Sequence, residues 1–282
     1  MLRLSLDEDV GSGDVTSEST VATGAGARGV LVTRESCVVA GLVLFDPLLD
    51  ELARHTGLES ARTLRMTGAL ADGSRAKAGT ALCTIAGNAR ALLTFERTFL
   101  NFVGRLSGVA TITARYVDAA RATGAPTRVL DTRKTTPGHR LVEKYAVRCG
   151  GGANHRMGLY DAVLIKDNHI VAAGGVREAV TRALSHAPKG VDIEVECDSL
   201  EQAETAIAAG ATALLLDNFA PEALGAAVKA IAGRARIEVS GGVTLERIAE
   251  YARAGVDDIS VGRLTHSAVS IDVGLDFTLD LS

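Results

Sequence analysis

Residues 211–267 read ATALLLDNFAPEALGAAVKAIAGRARIEVSGGVTLERIAEYARAGVDDISVGRLTHS. Three short apolar runs, at 213–217, 237–240 and 258–262, are separated by segments of helical apolar spacing at 221–232 and 244–254. Runs of this length suit strands buried on both faces. Strands alternating with helices predict a parallel sheet covered by helices. Each run also closes on polar or glycine-rich chemistry: DN after the first, SGG after the second, VG after the third.

Working outward, the same texture begins after Thr127. Strand-like runs at 128–131, 162–166 and 193–196 end in DTRK, KDN and EVE, and helical segments lie at 175–186 and 199–209. Six such units favour an incomplete barrel of TIM type, whose enzymes build their sites at the carboxyl ends of the strands. The first hundred residues mix strand and helix without that repeat. Residues 29–39 read as a strand, 46–55 as a helix with Pro47 in its first turn, and 62–86 as short strands. Residues 89–122 read as a helix interrupted by Gly104 and Gly108, an interruption suited to close packing, and 1–28 as turn chemistry in which Asp14 or Thr16 can cap the segment after it.

The chain has 282 residues, 47% hydrophobic, with a formal charge of −4. Aromatics at 4%, no tryptophan and a net negative charge argue against nucleic-acid binding. The opening MLRLSLDEDV has no apolar leader pattern, and no apolar run reaches membrane-helix length, so neither secretion nor a membrane span is expected. Four scattered cysteines form no CxxC and suit a reducing, cytoplasmic setting.

Against that acidic background, residues 131–169 carry seven Lys or Arg and three of the six histidines beside only four acids. Positive charge gathered beside Gly150-Gly151-Gly152 points to a multiply anionic small molecule. Arg133 and Lys134 follow a strand, where side chains converge, while adjacent basic residues elsewhere are usually a solvated surface. Asn154, His155 and Arg156 bring three donors next to the glycines, and Lys166, Asn168 and His169 end the next strand. For His169, a structural role is as plausible as a functional one. Glu194 and Glu196 share a strand face, and with Asp217 they end neighbouring strands. Such carboxylates bind Mg²⁺ or steady a developing positive charge; the plainer alternative is that they pair with the basic residues. Ser240-Gly241-Gly242, Gly262 and His266 end the last two strands, where backbone N–H groups commonly hold phosphate. The residues alone thus describe a barrel enzyme for a phosphorylated substrate, a second anion and Mg²⁺.

The motifs DTRKTTPG (131–138), EKYAV (143–147), GGGANHR (150–156), LIKDNH (164–169), EVE (194–196), LLDNF (215–219), SGG (240–242) and GVDDISVGRLTHS (255–267) go further. With EDVGSGDVTS (8–17) and ERTFLN (96–101), they resemble those of the quinolinate phosphoribosyltransferases, in order along nearly the whole chain. The resemblance implies the type II phosphoribosyltransferase fold: an open α/β N-terminal domain over 1–106, to which 269–282 return, and a seven-stranded incomplete α/β barrel over 107–268. It implies a homodimer or larger even-numbered assembly whose sites are completed by the partner. It further implies reaction of quinolinate with phosphoribosyl pyrophosphate to nicotinate mononucleotide, pyrophosphate and CO₂. Arg133, His155, Arg156 and Lys166 would bind quinolinate, with Arg97 supplied across the dimer; Lys134 would bind the donor. Glu196 and Asp217 would face the ribose and Mg²⁺–pyrophosphate, and Ser240, Gly241, Gly262 and His266 would hold the 5′-phosphate. Three departures stand out. The helix usual before EDVGSGD looks short or missing, His139 follows TTPG where an apolar residue is expected, and Val239 precedes SGG where a small polar residue is commoner. A related transferase using another acid, such as nicotinate, and a non-catalytic metabolite-binding barrel are the rival readings.

Overall fold

A computed structural model describes residues 1–280. The chain divides into two compact units, one of residues 1–112, 136–151 and 267–282, the other of 113–135 and 152–266.

The first unit opens with helix α1 (Leu2–Asp9). The spacing of Leu2, Leu4 and Leu6 among acids hides this helix in the sequence, and only Leu6 is buried. Asp14 then caps α2 (Val15–Thr20) by accepting the Ser17 N–H at 2.9 Å. The segment expected as one strand at 29–39 is two, β1 (Gly26–Thr33) and β2 (Cys37–Val38). Next come α3 (Phe45–Thr56), β3 (Arg65–Thr67), β4 (Arg75–Ala76), β5 (Ala81–Asn88) and the 33-residue α4 (Ala89–Arg121). A sheet in the order β12-β1-β5-β3 is completed by the last strand, β12 (Val273–Asp280), antiparallel to β1. Its core includes Phe45, Phe95 and Phe99, with Phe95 and Phe99 stacked at 4.9 Å and Phe45 edge-on to Phe95 at 5.4 Å.

Gly104 and Gly108 do not interrupt α4. They let the returning chain cross its backbone: the Ile271 N–H donates to the Gly104 carbonyl at 2.9 Å. A Cβ at Gly104 would stand 2.8 Å from the Ile271 oxygen, and one at Gly108 would overlap the Val269 carbonyl. Helix α5 lies after β6 (Arg128–Leu130) and runs Arg140–Cys149. It clusters with the N-terminal unit, although the sequence boundaries put it in the barrel segment. The reason is polar: Arg105 donates to the buried Glu143 at 2.7 Å, and the Tyr145 hydroxyl to Asp72 at 2.8 Å. His139 sets its ring 6.0 Å from that of Phe102, taking the place of the expected apolar residue.

The second unit continues through β7 (Val163–Ile165), α6 (Asp167–Ala173), α7 (Val176–His186), β8 (Ile193–Cys197), α8 (Leu200–Ala208) and β9 (Ala213–Asp217). After them come α9 (Pro221–Ile231), β10 (Arg236–Ser240), α10 (Ile248–Arg253), β11 (Asp258–Ser260) and α11 (Arg263–His266). The six strands form a parallel sheet in the order β6-β11-β10-β9-β8-β7, with helices between them in the chain. Of the seventh strand implied by the resemblance, the described residues keep one parallel bridge, Leu130 to Ala153, on the free edge of β6. No helix among the described residues is long and apolar enough to cross a membrane.

Candidate active site

The strand ends of the second unit gather nearly every candidate. After β6, Asp131 is fully buried and accepts the Asn154 side-chain amide at 2.5 Å and the His155 N–H at 3.0 Å. This holds the arm of residues 154–156 at the end of β6, with Arg156 near enough to Arg133 to feel its charge. Arg156 donates to the Ala162 carbonyl at 3.1 Å. Burial pushes its guanidinium below the usual range, and the like charge of Arg133 pushes further, against the opposing pull of Asp161 and Glu194. Two guanidinium groups held this way favour an anion with carboxylates to share.

At the end of β7, the Lys166 ammonium is paired with the Glu196 carboxylate of β8. The Lys166 N–H donates to His169 Nδ1 at 2.9 Å, which ties the ring to the start of α6. At the end of β9, Asp217 accepts the Ser240 hydroxyl at 2.5 Å and the Asn218 side-chain amide at 2.6 Å. Asn218 adopts a left-handed φ of 57° and donates its N–H to the Ser240 carbonyl. Any Cβ on Gly241, itself at φ 95°, would collide with Asn218. Past β11, a Cβ on Gly262 would lie 3.1 Å from His266 Nε2 and 3.3 Å from Lys134 Cδ, so these three converge. The Thr265 hydroxyl fixes the approach by donating to the Lys134 carbonyl at 2.8 Å. Arg97 is not part of this set; it is exposed on α4, in the first unit.

Beneath the strand ends lies a layer that the residue types alone did not disclose. Arg128 grips Asp258 with two bonds of 2.7 and 2.8 Å, Arg236 reaches Asp258 at 3.2 Å, and Ser260 donates to Glu238 at 2.5 Å. The signal in the sequence is period-two charge inside apolar strands: Glu194 and Glu196, then Arg236, Glu238 and Ser240, then Asp258 and Ser260. His155 belongs to this layer too. An amide N–H can only donate, so the 2.7 Å bond from the Arg156 N–H makes His155 Nδ1 the acceptor. The ring proton is therefore on Nε2, which lies 3.1 Å from Glu194 and 3.4 Å from Glu238. His155, Glu194 and Glu238 are spaced closely enough to surround a metal. A metal on Nε2 would need the proton on Nδ1, where the Arg156 amide already points, so the trio does not fit one. Both ring nitrogens are engaged inside the barrel, and through Nδ1 His155 holds the backbone of Arg156. Glu238 is fully buried, and burial, with Glu194 adding to it, raises its carboxyl to about 7. Its Oε2 is buried with no hydrogen-bond partner among the described residues, and Glu238 helps line a cavity of about 220 Å³ with Arg128, Arg156, Asp192 and Arg236.

Comparison with known proteins agrees with this geometry. Residues 14–107 match the quinolinate phosphoribosyl transferase N-terminal domain and residues 109–276 its C-terminal domain. The chain is 45% identical over 279 residues to the nicotinate-nucleotide pyrophosphorylase [carboxylating] of Mycobacterium leprae, covering 98% of this chain and 95% of that one. It is 40% identical to the probable enzyme of that name from Bacillus subtilis, covering 96% and 90% of the two chains. The structure of the nicotinate-nucleotide pyrophosphorylase from Francisella tularensis superposes with a TM-score of 0.89 at 40% identity, over 98% of this chain and 94% of that one. With both domains matched in order and the strand-end constellation in place, the chain belongs to the quinolinate phosphoribosyl transferase family.

Proposed function

We propose that this protein transfers the phosphoribosyl group of phosphoribosyl pyrophosphate to quinolinate, releasing pyrophosphate and CO₂ and forming nicotinate mononucleotide, a step of NAD synthesis. The observation that carries the reading is the pair Arg133 and Arg156, two like charges brought together behind a half-buried arm. A dianionic pyridine relieves that repulsion; Lys166 adds a third cation. Lys134, Gly262 and His266 converge on the other flank, where the donor's phosphates would lie.

Glu196 and Asp217 end adjacent strands and offer oxygen ligands, the donor set that Mg²⁺ takes together with substrate phosphates. Mg²⁺ bound there would neutralise charge on the departing pyrophosphate. The same carboxylates would stabilise positive charge developing at the anomeric carbon as the quinolinate nitrogen attacks. Lys166, which neutralises Glu196 in the free protein, is available to a quinolinate carboxylate once the site fills. Ser240 holds Asp217 in place and, with Gly241, gives the 5′-phosphate close approach to backbone. Rate enhancement on this scheme comes from orientation and fixed charge, with no covalent intermediate on the protein. After transfer the ring nitrogen is quaternary. The adjacent C–C bond breaks, its electron pair stays on the ring carbon to be protonated, and CO₂ leaves.

The active assembly is a cytoplasmic dimer or larger even-numbered oligomer in which Arg97 serves the partner's site. The test is direct: purified protein, Mg²⁺, phosphoribosyl pyrophosphate and quinolinate, following nicotinate mononucleotide and CO₂, with nicotinate in parallel. Product from quinolinate alone supports the reading. Product from nicotinate alone overturns the acceptor, and no product from either overturns the activity.

A further inference from the structure

We infer that Asp131 is a positioning residue for the acceptor: its carboxylate clamps the 154–156 arm to the strand end that carries Arg133 and Lys134. The inference rests on the phosphoribosyl-transfer reading above. The arm joins the barrel through very little backbone. Asp131 N–H donates to the Ala153 carbonyl at 3.2 Å and Ala153 N–H to the Val129 carbonyl at 2.8 Å, the single bridge that stands in for a strand. Beyond that bridge the ladder stops and the Asp131 side chain takes over. One oxygen accepts the Asn154 amide at 2.5 Å and the other the His155 N–H at 3.0 Å.

A fully buried carboxylate is an expensive way to hold a loop, unless each oxygen is used and cations stand nearby. Both conditions hold here. The two donors come from consecutive residues, and Arg133 follows two positions along the chain. The restraint then passes on through the main chain. His155, fixed at its N–H by Asp131 and at Nε2 by Glu194, accepts the Arg156 N–H and so sets the residue whose guanidinium faces Arg133. A neutral amide at position 131 could accept one of the two donors but would turn its own N–H₂ toward that of Asn154. The carboxylate is the group that lets the arm lie flat.

Both donors that the carboxylate holds belong to the arm that carries Arg156, so its loss falls chiefly on the acceptor. Asp131→Ala is expected to raise the KM for quinolinate by about 10- to 100-fold, the range for removing a charged hydrogen-bond partner. The Kd for phosphoribosyl pyrophosphate with Mg²⁺, by calorimetry, should stay within about twofold. Asp131→Asn and Asn154→Asp alone should each raise the quinolinate KM. The combination D131N/N154D restores a donor opposite a carboxylate and should return it to within about threefold of the parent. An unchanged quinolinate KM in D131A, or an equal loss of donor affinity, overturns the inference. So does a double variant no better than the worse single one, and this cycle decides the matter should D131A fail to fold. Failure of the underlying reading looks different: the parent protein itself would not turn over quinolinate.

Discussion

Replacing Glu238 with Gln tests whether the buried layer under the active site holds a proton at neutral pH. Glu238 has its carboxyl raised from 4.5 to about 7, so the folded chain binds this proton more tightly than the unfolded chain does. Below 4.5 both states are protonated and nothing is lost. Between 4.5 and 7 the unfolded carboxyl ionises while the folded one does not, so stability falls as pH rises. Above that window both are ionised and the loss is complete. A tenfold change in proton affinity is worth about 1.4 kcal/mol, so the full loss is roughly 2–3 kcal/mol once His155, whose charge opposes the rise, responds. Gln keeps an oxygen for the Ser260 hydroxyl and has no proton to lose. Denaturant unfolding of both proteins at pH 5, 6, 7 and 8, at one protein concentration, gives the difference directly. The parent should weaken relative to E238Q by roughly 2–3 kcal/mol from pH 5 to 8, with other groups cancelling in the difference. Parallel curves within about 0.5 kcal/mol would mean that Glu238 is ionised throughout and that the charge account of the barrel interior is wrong.

Lys134→Ala and Glu196→Ala should each cut turnover by about 10²- to 10³-fold with thermal unfolding little changed, as measured by product formation and calorimetry; near-normal activity in both would discard the roles given to them. Ala232 ends α9 at a left-handed φ of 52°, so Ala232→Gly should stabilise the chain by about 0.5–1 kcal/mol in denaturant unfolding. Phe95→Ala removes a fully buried ring from between Phe45 and Phe99 and should cost about 3–5 kcal/mol by the same measurement.

How much can be read from the residues depends on how locally each feature is determined. The strands β8, β9 and β10 declare themselves as short apolar runs, and their polar closures put Glu196, Asp217 and Ser240 where the structure has them. Asp14 announces the cap of α2 by chemistry within three residues. Features that depend on partners far along the chain are not written locally. Helix α5 has ordinary amphipathic spacing, and its place in the first unit is set by Arg105 and Asp72, distant in sequence. Glu238 resembles a surface acid until the inward face of β10 is known, and only then does its alternation with Arg236 and Ser240 become informative. For His155 the motif implies a place among the quinolinate-binding residues. Its tautomer is fixed by the Arg156 amide, a detail of backbone direction that residue types do not carry.

The pairing of β12 with β1 also bears on how the molecule is made. The Thr278 hydroxyl meets the Arg28 carbonyl across 250 positions of chain. At a synthesis rate of about 5–20 residues per second, β1 emerges from the ribosome roughly 10 to 50 seconds before the strand that covers it. Throughout that interval the nascent sheet has an open edge, and two α4 glycines wait for a segment not yet translated. The barrel strands have no such dependence on the chain's far end, since β6 to β11 are all made within residues 128–260. The barrel strands can therefore pair before the N-terminal sheet is closed, and removal of the last strand should show itself as aggregation through the open edge of β1.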